Sequence, residues 1–217
     1  MFIKRSLCSS AFLFALFALM EIYSCSAVAD TTAKTNSYYT RGVYVDVNAG
    51  YASINWKDFD PTRNFNFSSN GSGGFTIGAD TGYEYNRYLA FELGWYYLPQ
   101  AKYNTLNNIN FKVQSWFAYF GLKLSVPVSQ RFYFFGKLAL AYRYLKFKSS
   151  PGGFAPDGSH NLWRPLGALG WRYYFGPNWS ILMQYIYMPG RKSNSAGAVV
   201  SPPVNMITLG YSYRFEV

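Results

Sequence analysis

His160 is the only histidine in this 217-residue chain, and it stands in the string Pro156-Asp157-Gly158-Ser159-His160-Asn161. Serine, histidine and aspartate are the parts of an acyl-transfer triad. Adjacency in sequence does not make one, because the three side chains must converge in space. A second string, Arg191-Lys192-Ser193-Asn194, sets a hydroxyl and an amide beside two cations. Arginine stays protonated, so Arg191 cannot serve there as a general base. Metal chemistry also lacks its parts. Both cysteines, Cys8 and Cys25, fall near the start of the chain, and the rest offers one histidine and scattered carboxylates. That is no zinc set. The expectation is no catalytic residue, no metal and no cofactor.

More telling is a series of charges interleaved with apolar residues. Asp46, Asp80, Glu84, Glu92, Lys123, Lys137, Arg143, Arg172 and Arg214 each occupy one phase of an alternating segment. The final stretch, "ITLGYSYRFEV", has the clearest alternation. Ile207, Leu209, Tyr211, Tyr213 and Phe215 are large and apolar, whereas Thr208, Gly210, Ser212 and Arg214 are small or polar. Period two means a β-strand with two unlike faces. Seven earlier segments repeat it: "GVYVDVNAGYASI", "GFTIGADTGYEY", "YLAFELGWYYL", about Lys112 to Val126, about Phe132 to Phe147, "WRPLGALGWRYYF" and "WSILMQYIYM". The pattern is weakest in the fourth and seventh, where both faces carry apolar bulk.

The connections alternate in length. Asn86-Arg87, Pro127 to Gln130 and Gly176 to Asn178 are short; about Lys57 to Gly73, Pro99 to Ile109, Ser149 to Asn161 and Pro189 to Pro203 are long and polar. Short turns on the periplasmic side and long loops outside are the asymmetry of an outer-membrane barrel. The composition agrees. Aromatic residues make up 21% of the chain, with 21 tyrosines, and such barrels carry aromatic girdles at both interfaces. A soluble eight-stranded barrel with an apolar cavity is the alternative. The glycines decide against it. Gly78, Gly82, Gly94, Gly121, Gly170 and Gly210 accompany the charged faces, which suits a crowded interior, while the large aromatics occupy the opposite face.

Energy sets the phase. A one-residue slip turns a strand's charges toward lipid. Arginine or lysine at the bilayer midplane costs about 2–4 kcal/mol, so several would exceed a typical stability of ~5–15 kcal/mol. The nine charges are therefore expected to line the lumen and to pair there.

Targeting follows from the first residues. Lys4 and Arg5 precede an apolar stretch from Ser6 to Met20, and Ala27-Val28-Ala29 is an A-x-A cleavage site. Residues 1–29 read as a signal peptide, 30–40 as an N-terminal periplasmic segment and 41–217 as the barrel. A lipidated Cys25 is the weaker alternative, since Tyr23 fits a lipobox poorly. Net charge is +10. With an export signal and no nucleic-acid motif, that charge points to anionic lipid or lipopolysaccharide rather than nucleic acid.

"GADTGYEYNRYLAFELGWYYL", "RPLGALGWRYYF" and "TLGYSYRF" resemble the outer membrane protein A-like β-barrels and the broader opacity-type surface proteins. The resemblance runs from about Arg41 to Phe215. It implies an eight-stranded antiparallel up-and-down barrel, expected as a monomer; the chain departs from the larger members in ending with strand eight, so their peptidoglycan-binding domain is expected to be absent. It also implies that Leu209, Tyr211, Tyr213 and Phe215 form the signal read by the barrel-assembly machinery. Family chains commonly finish on the aromatic residue, whereas Glu216-Val217 follow here. Lipid A deacylases among small outer-membrane barrels carry His-x-Ser-Asn; here Arg191 takes the histidine position, so an enzyme is disfavoured. Two non-enzymatic readings remain. The loop cations Lys102, Lys112, Arg191 and Lys192 are expected to meet lipopolysaccharide, or a host-cell or glycan ligand. A narrow gated channel is the alternative.

Overall fold

Each alternating segment forms a strand because its large apolar residues need lipid on one side and its charges need partners on the other. The computed structural model describes residues 41–55, 73–104, 110–149, 158–192 and 199–216, excepting the side chains of 101–104, 110, 111, 147–149, 158, 192, 199, 200 and 216. The expected leader and periplasmic segment, Asp157, Ser193, Asn194 and Val217 lie outside the described residues.

Eight strands close an antiparallel barrel: β1 (Gly42–Ile54), β2 (Gly73–Glu84), β3 (Leu89–Asn104), β4 (Asn110–Pro127), β5 (Phe132–Ser149), β6 (Gly158–Tyr174), β7 (Trp179–Met188) and β10 (Val204–Glu216). Neighbours in sequence pair around the wall, and β1 closes on β10 from Gly42 opposite Glu216 to Ile54 opposite Val204. Two further strands, β8 (Arg191–Lys192) and β9 (Val199–Ser201), form a separate ribbon between β7 and β10.

The short turns are locally encoded. The Asn86 side chain accepts from the Tyr88 and Leu89 amides, both at 2.8 Å. Ser129 Oγ accepts from the Phe132 amide at 3.1 Å. Such Asx and Ser turns satisfy backbone donors where the ladder stops.

Three expected loops are shorter or more ordered than their composition implied. β3 continues through Pro99 to Asn104, with the register shifting between Leu98 and Ala101. A bulge is where a strand tolerates proline, which has no amide hydrogen to give. β6 starts at Gly158 rather than Trp163, and the stretch from Pro189 to Pro203 holds the ribbon.

The interior is stratified. Toward the short turns it is charged. At mid-height Tyr96 stacks on Phe117 at 5.4 Å between centroids and on Tyr119 at 6.4 Å. Toward the long loops it is mainly aliphatic, with Arg143, Ser115 and Ser201 buried among Ile54, Leu98, Val113, Leu145, Ile186, Met188, Val204 and Met206, the aliphatic members all 2% exposed or less. The apolar upper lumen departs from the expected small or polar interior. The outer wall carries Val47, Phe75, Leu93, Phe120, Leu138, Leu169 and Leu209, all more than half exposed. An apolar band of that extent is stable only against lipid.

Candidate functional site

The lower lumen is organised around Glu92, buried on β3. The hydroxyls of Tyr44 and Tyr119 each donate to one of its carboxylate oxygens, at 2.5 Å. Lys123 lies 3.5 Å away, and Lys137 forms a closer ion pair with it. Lys137 also faces Asp80 at 3.4 Å. Asp80 Oδ2 accepts from Asn48 at 3.0 Å and from Tyr96 at 2.8 Å. Gln184 in turn donates to the Tyr96 hydroxyl at 2.8 Å.

A second cluster sits nearer the short turns. Arg172 pairs with Asp46 at 2.7 Å and Glu84 at 3.5 Å; Arg214 pairs with Glu84 at 2.6 Å. Lys123 joins the clusters, lying 4.0 Å from Glu84. Its ammonium stands 3.9 Å above the Tyr44 ring, and the Arg172 guanidinium stands 4.8 Å from the same ring. Tyr44 is thus held between two cations, an arrangement favoured by the negative face of the ring.

Eight of the nine lumen charges belong to this single network, four acids and four cations. Phase alone leaves two details open. Asp46 and Arg214 lie on strands that meet at the barrel seam, yet Asp46 binds Arg172 and Arg214 binds Glu84. Long arginine side chains reach across the lumen instead of to the adjoining strand. Arg143 lies outside the network. Near the loop end it donates to Ser115 Oγ at 3.3 Å, to Ser201 Oγ at 3.0 Å and to the Pro202 carbonyl at 2.5 Å. It fastens the end of the β9 segment onto the barrel mouth. Arg164 holds the other end of that connection through the Pro189 and Gly190 carbonyls.

Glycine makes room for this packing. A Cβ at Gly82 would stand 2.5 Å from Cζ and Oη of Tyr44, and Gly94 lies beneath the Tyr119 ring in the same way. A crevice lined by Glu84, Arg87, Lys123 and Arg172 holds only about 10 Å³, room for about one water. Inward phase places Tyr44, Tyr96 and Tyr119 in the lumen, but phase alone does not show that their hydroxyls donate to carboxylates. Sequence reasoning missed Asn48 and Gln184, for which inward phase was the only available signal.

The other expected site residues are on the surface. Leu209, Tyr211 and Phe215 face outward and exposed, with Tyr213 half-buried among Trp179 and Phe215. Lys112 and Arg191 are exposed. Lys102 lies opposite Lys112 in the β3–β4 ladder, and Lys192 is on the ribbon; their side chains lie outside those described. Ser159 and His160 are consecutive on β6, so their side chains leave opposite faces and do not converge as a catalytic pair.

A family model for the OmpA-like transmembrane domain matches residues 39–217. Outer membrane protein A of Yersinia pseudotuberculosis is 30% identical over 196 residues, covering 88% of this chain and 52% of that protein. The chain thus spans about half the length of the curated relatives it matches. The outer membrane protein OprG from Pseudomonas aeruginosa has a similar structure, with TM-score 0.56 and 17% identity over 83% of this chain and 99% of that one. The attachment invasion locus protein of Yersinia pestis, in complex with the heparin analogue sucrose octasulfate, gives TM-score 0.50 and 16% identity over 80% and 99%.

Proposed function

The chain belongs to the OmpA-like transmembrane domain family, and on that premise we propose that it is a sealed, non-enzymatic barrel of the outer membrane. Its role is structural, with an outer surface that contacts lipopolysaccharide. The observation that carries this reading is the filled lumen. A conducting path would have to cross both a neutral ion-pair network and the aliphatic layer above it. Breaking ion pairs exposes charge to any water that enters, but the packed Leu98, Leu145, Ile186 and Met206 offer water no partners. The gated-channel alternative needs both layers to move.

The outer surface supports contact with anions. The described cations Lys112, Lys146 and Arg191 sit at the loop end, where lipopolysaccharide phosphates lie, while Arg41, Arg87 and Arg131 mark the short-turn end. A barrel of this fold has been seen with a heparin analogue, which supports the further reading that sulfated or phosphorylated glycans of a host surface bind here too. The protein is exported by a leader cleaved after Ala29 and works as a monomer without metal or cofactor. Planar-bilayer recording of purified mature protein tests the seal. Flat traces at moderate voltage are expected; reproducible unitary openings in the wild type would refute it. Incubation with lipid A should leave its acyl chains and phosphates unchanged by mass.

A further inference from the structure

The ladder register aligns cations that are scattered in sequence. Lys102 of β3 lies opposite Lys112 of β4, and Lys112 lies opposite Lys148 of β5. Lys146, two positions along β5, lies opposite Gln114 on one side and Ser159 of β6 on the other. The inward residues of this region, Val113, Ser115 and Leu145, are buried. Lys112 and Lys146 are in the opposite phase, on the outer wall, and Lys112 is exposed. Register places Lys102 and Lys148 at outward positions of the same row.

Like charges directly opposite one another destabilise a sheet, and here the register makes three lysine positions direct partners across two strand pairs. The carboxylates whose side chains are described, Asp46, Asp80, Glu84 and Glu92, are all buried in the lumen, so none of them relieves the row.

Height identifies what meets the row. Trp116 stacks on Tyr144 at 5.4 Å, and Tyr142 meets Trp163 edge-on at 5.2 Å. Such an outward aromatic shelf marks the upper membrane interface. Lys112 is four residues beyond Trp116, about 13 Å along the strand and about 10 Å along the membrane normal at a tilt near 40°. That is headgroup depth. The row continues the lipid-facing wall rather than the loop tips, so it faces sideways into the leaflet.

We propose that the loop-side outer wall of β3–β5, with Lys102, Lys112, Lys146 and Lys148, is a binding site for the phosphates of an outer-leaflet glycolipid. This rests on the reading of the chain as an outer-membrane barrel in contact with lipopolysaccharide, and it assigns that contact to one wall. The ribbon cations Arg191 and Lys192 are not part of it. Bound phosphate relieves the repulsion within the row, and flexible lysine stems can snorkel to reach it.

The test uses mature protein folded in neutral-detergent micelles and titrated with diphosphoryl lipid A, read by tryptophan fluorescence, since Trp116 lies beneath the row. Each lysine near an anionic surface contributes about five-fold, so Lys112→Ser/Lys148→Ser is expected to weaken binding about 30-fold. Lys112→Arg/Lys148→Arg should restore it, and Arg191→Ser/Lys192→Ser should stay within about two-fold of wild type. Without lipid A, the serine pair should be at least as resistant to urea as wild type, because repulsion is removed. Undiminished binding by the serine pair, or an equal loss in the ribbon variant, overturns the site. Loss of heparin binding with lipid A binding intact would also overturn it, in favour of a soluble glycan. If the wild type binds lipid A no tighter than its dephosphorylated, acyl-matched form, the underlying reading of lipopolysaccharide contact fails.

Discussion

Glu92→Gln is the most informative perturbation of the lumen. It keeps the shape of the side chain and removes one of four carboxylates from a network balanced by four cations. Leaving a buried cation short of its partner costs about 3–5 kcal/mol. Here the cations keep something: Lys137 retains Asp80 at 3.4 Å, and Lys123 retains the Tyr44 hydroxyl at 2.7 Å and Glu84 at 4.0 Å. The amide oxygen can still accept from one tyrosine. These remnants put the expected loss at the lower end, about 3 kcal/mol. Adding Lys137→Met removes the surplus charge, so the double variant should recover about 2 kcal/mol, within the range of coupling between contacting residues. The assay is urea unfolding and refolding of mature protein in phosphatidylcholine vesicles, followed by tryptophan fluorescence. A Glu92→Gln loss below about 0.5 kcal/mol, the size of an ordinary surface substitution, would refute the network as a source of stability. Strict additivity in the double variant would refute charge balance as the reason.

The same titration should find Gly82→Ala destabilised by about 1–3 kcal/mol through overpacking against the Tyr44 ring; a neutral result would mean the ring is not seated there. Arg143→Met should free the Ser201–Pro202 segment and speed protease cleavage between residues 189 and 203 on intact cells, whereas unchanged cleavage would argue against the clamp. Phe215→Ala should slow appearance of the folded band in a pulse-chase while removal of Glu216 and Val217 does not; equal rates for wild type and Phe215→Ala would count against the assembly signal. N-terminal sequencing should begin at Asp30, and a retained Met1 or an acylated Cys25 would overturn the leader assignment.

The strands and their facing were legible because lipid leaves little freedom: a charge on the wrong phase is too costly. Partners were not legible, because pairing across a lumen depends on the stagger of the closed wall and the reach of each side chain. That is why Asp46 meets Arg172 rather than Arg214. Arg143 shares the phase of the network charges but sits at the other end of the barrel, and alternation says nothing of height. The aliphatic upper lumen was hidden in segments with apolar residues on both faces, such as β7, where Leu182 and Ile186 point in while Met183 and Tyr185 point out. Pro99-Gln100 read as the start of a loop because proline cannot donate to a ladder, yet a bulge absorbs it. The alignment of the lysine row is not legible in sequence, since two connections separate its three strands until the register is known.

The β1–β10 seam has a consequence in time. Every other ladder of the barrel pairs consecutive barrel strands, so hairpins such as β4–β5 bring together only local backbone partners. The seam joins Gly42 to Glu216, nearly the full described length. Contacts so distant form late, after the entropy of closing a long loop has been met. Until its final strand has been made and delivered, the sheet has two unpaired edges and an apolar outer face, the two features that favour aggregation. The last strand therefore acts as a deadline: transit through the periplasm is an interval of exposure whose length is set by how soon β10 meets β1.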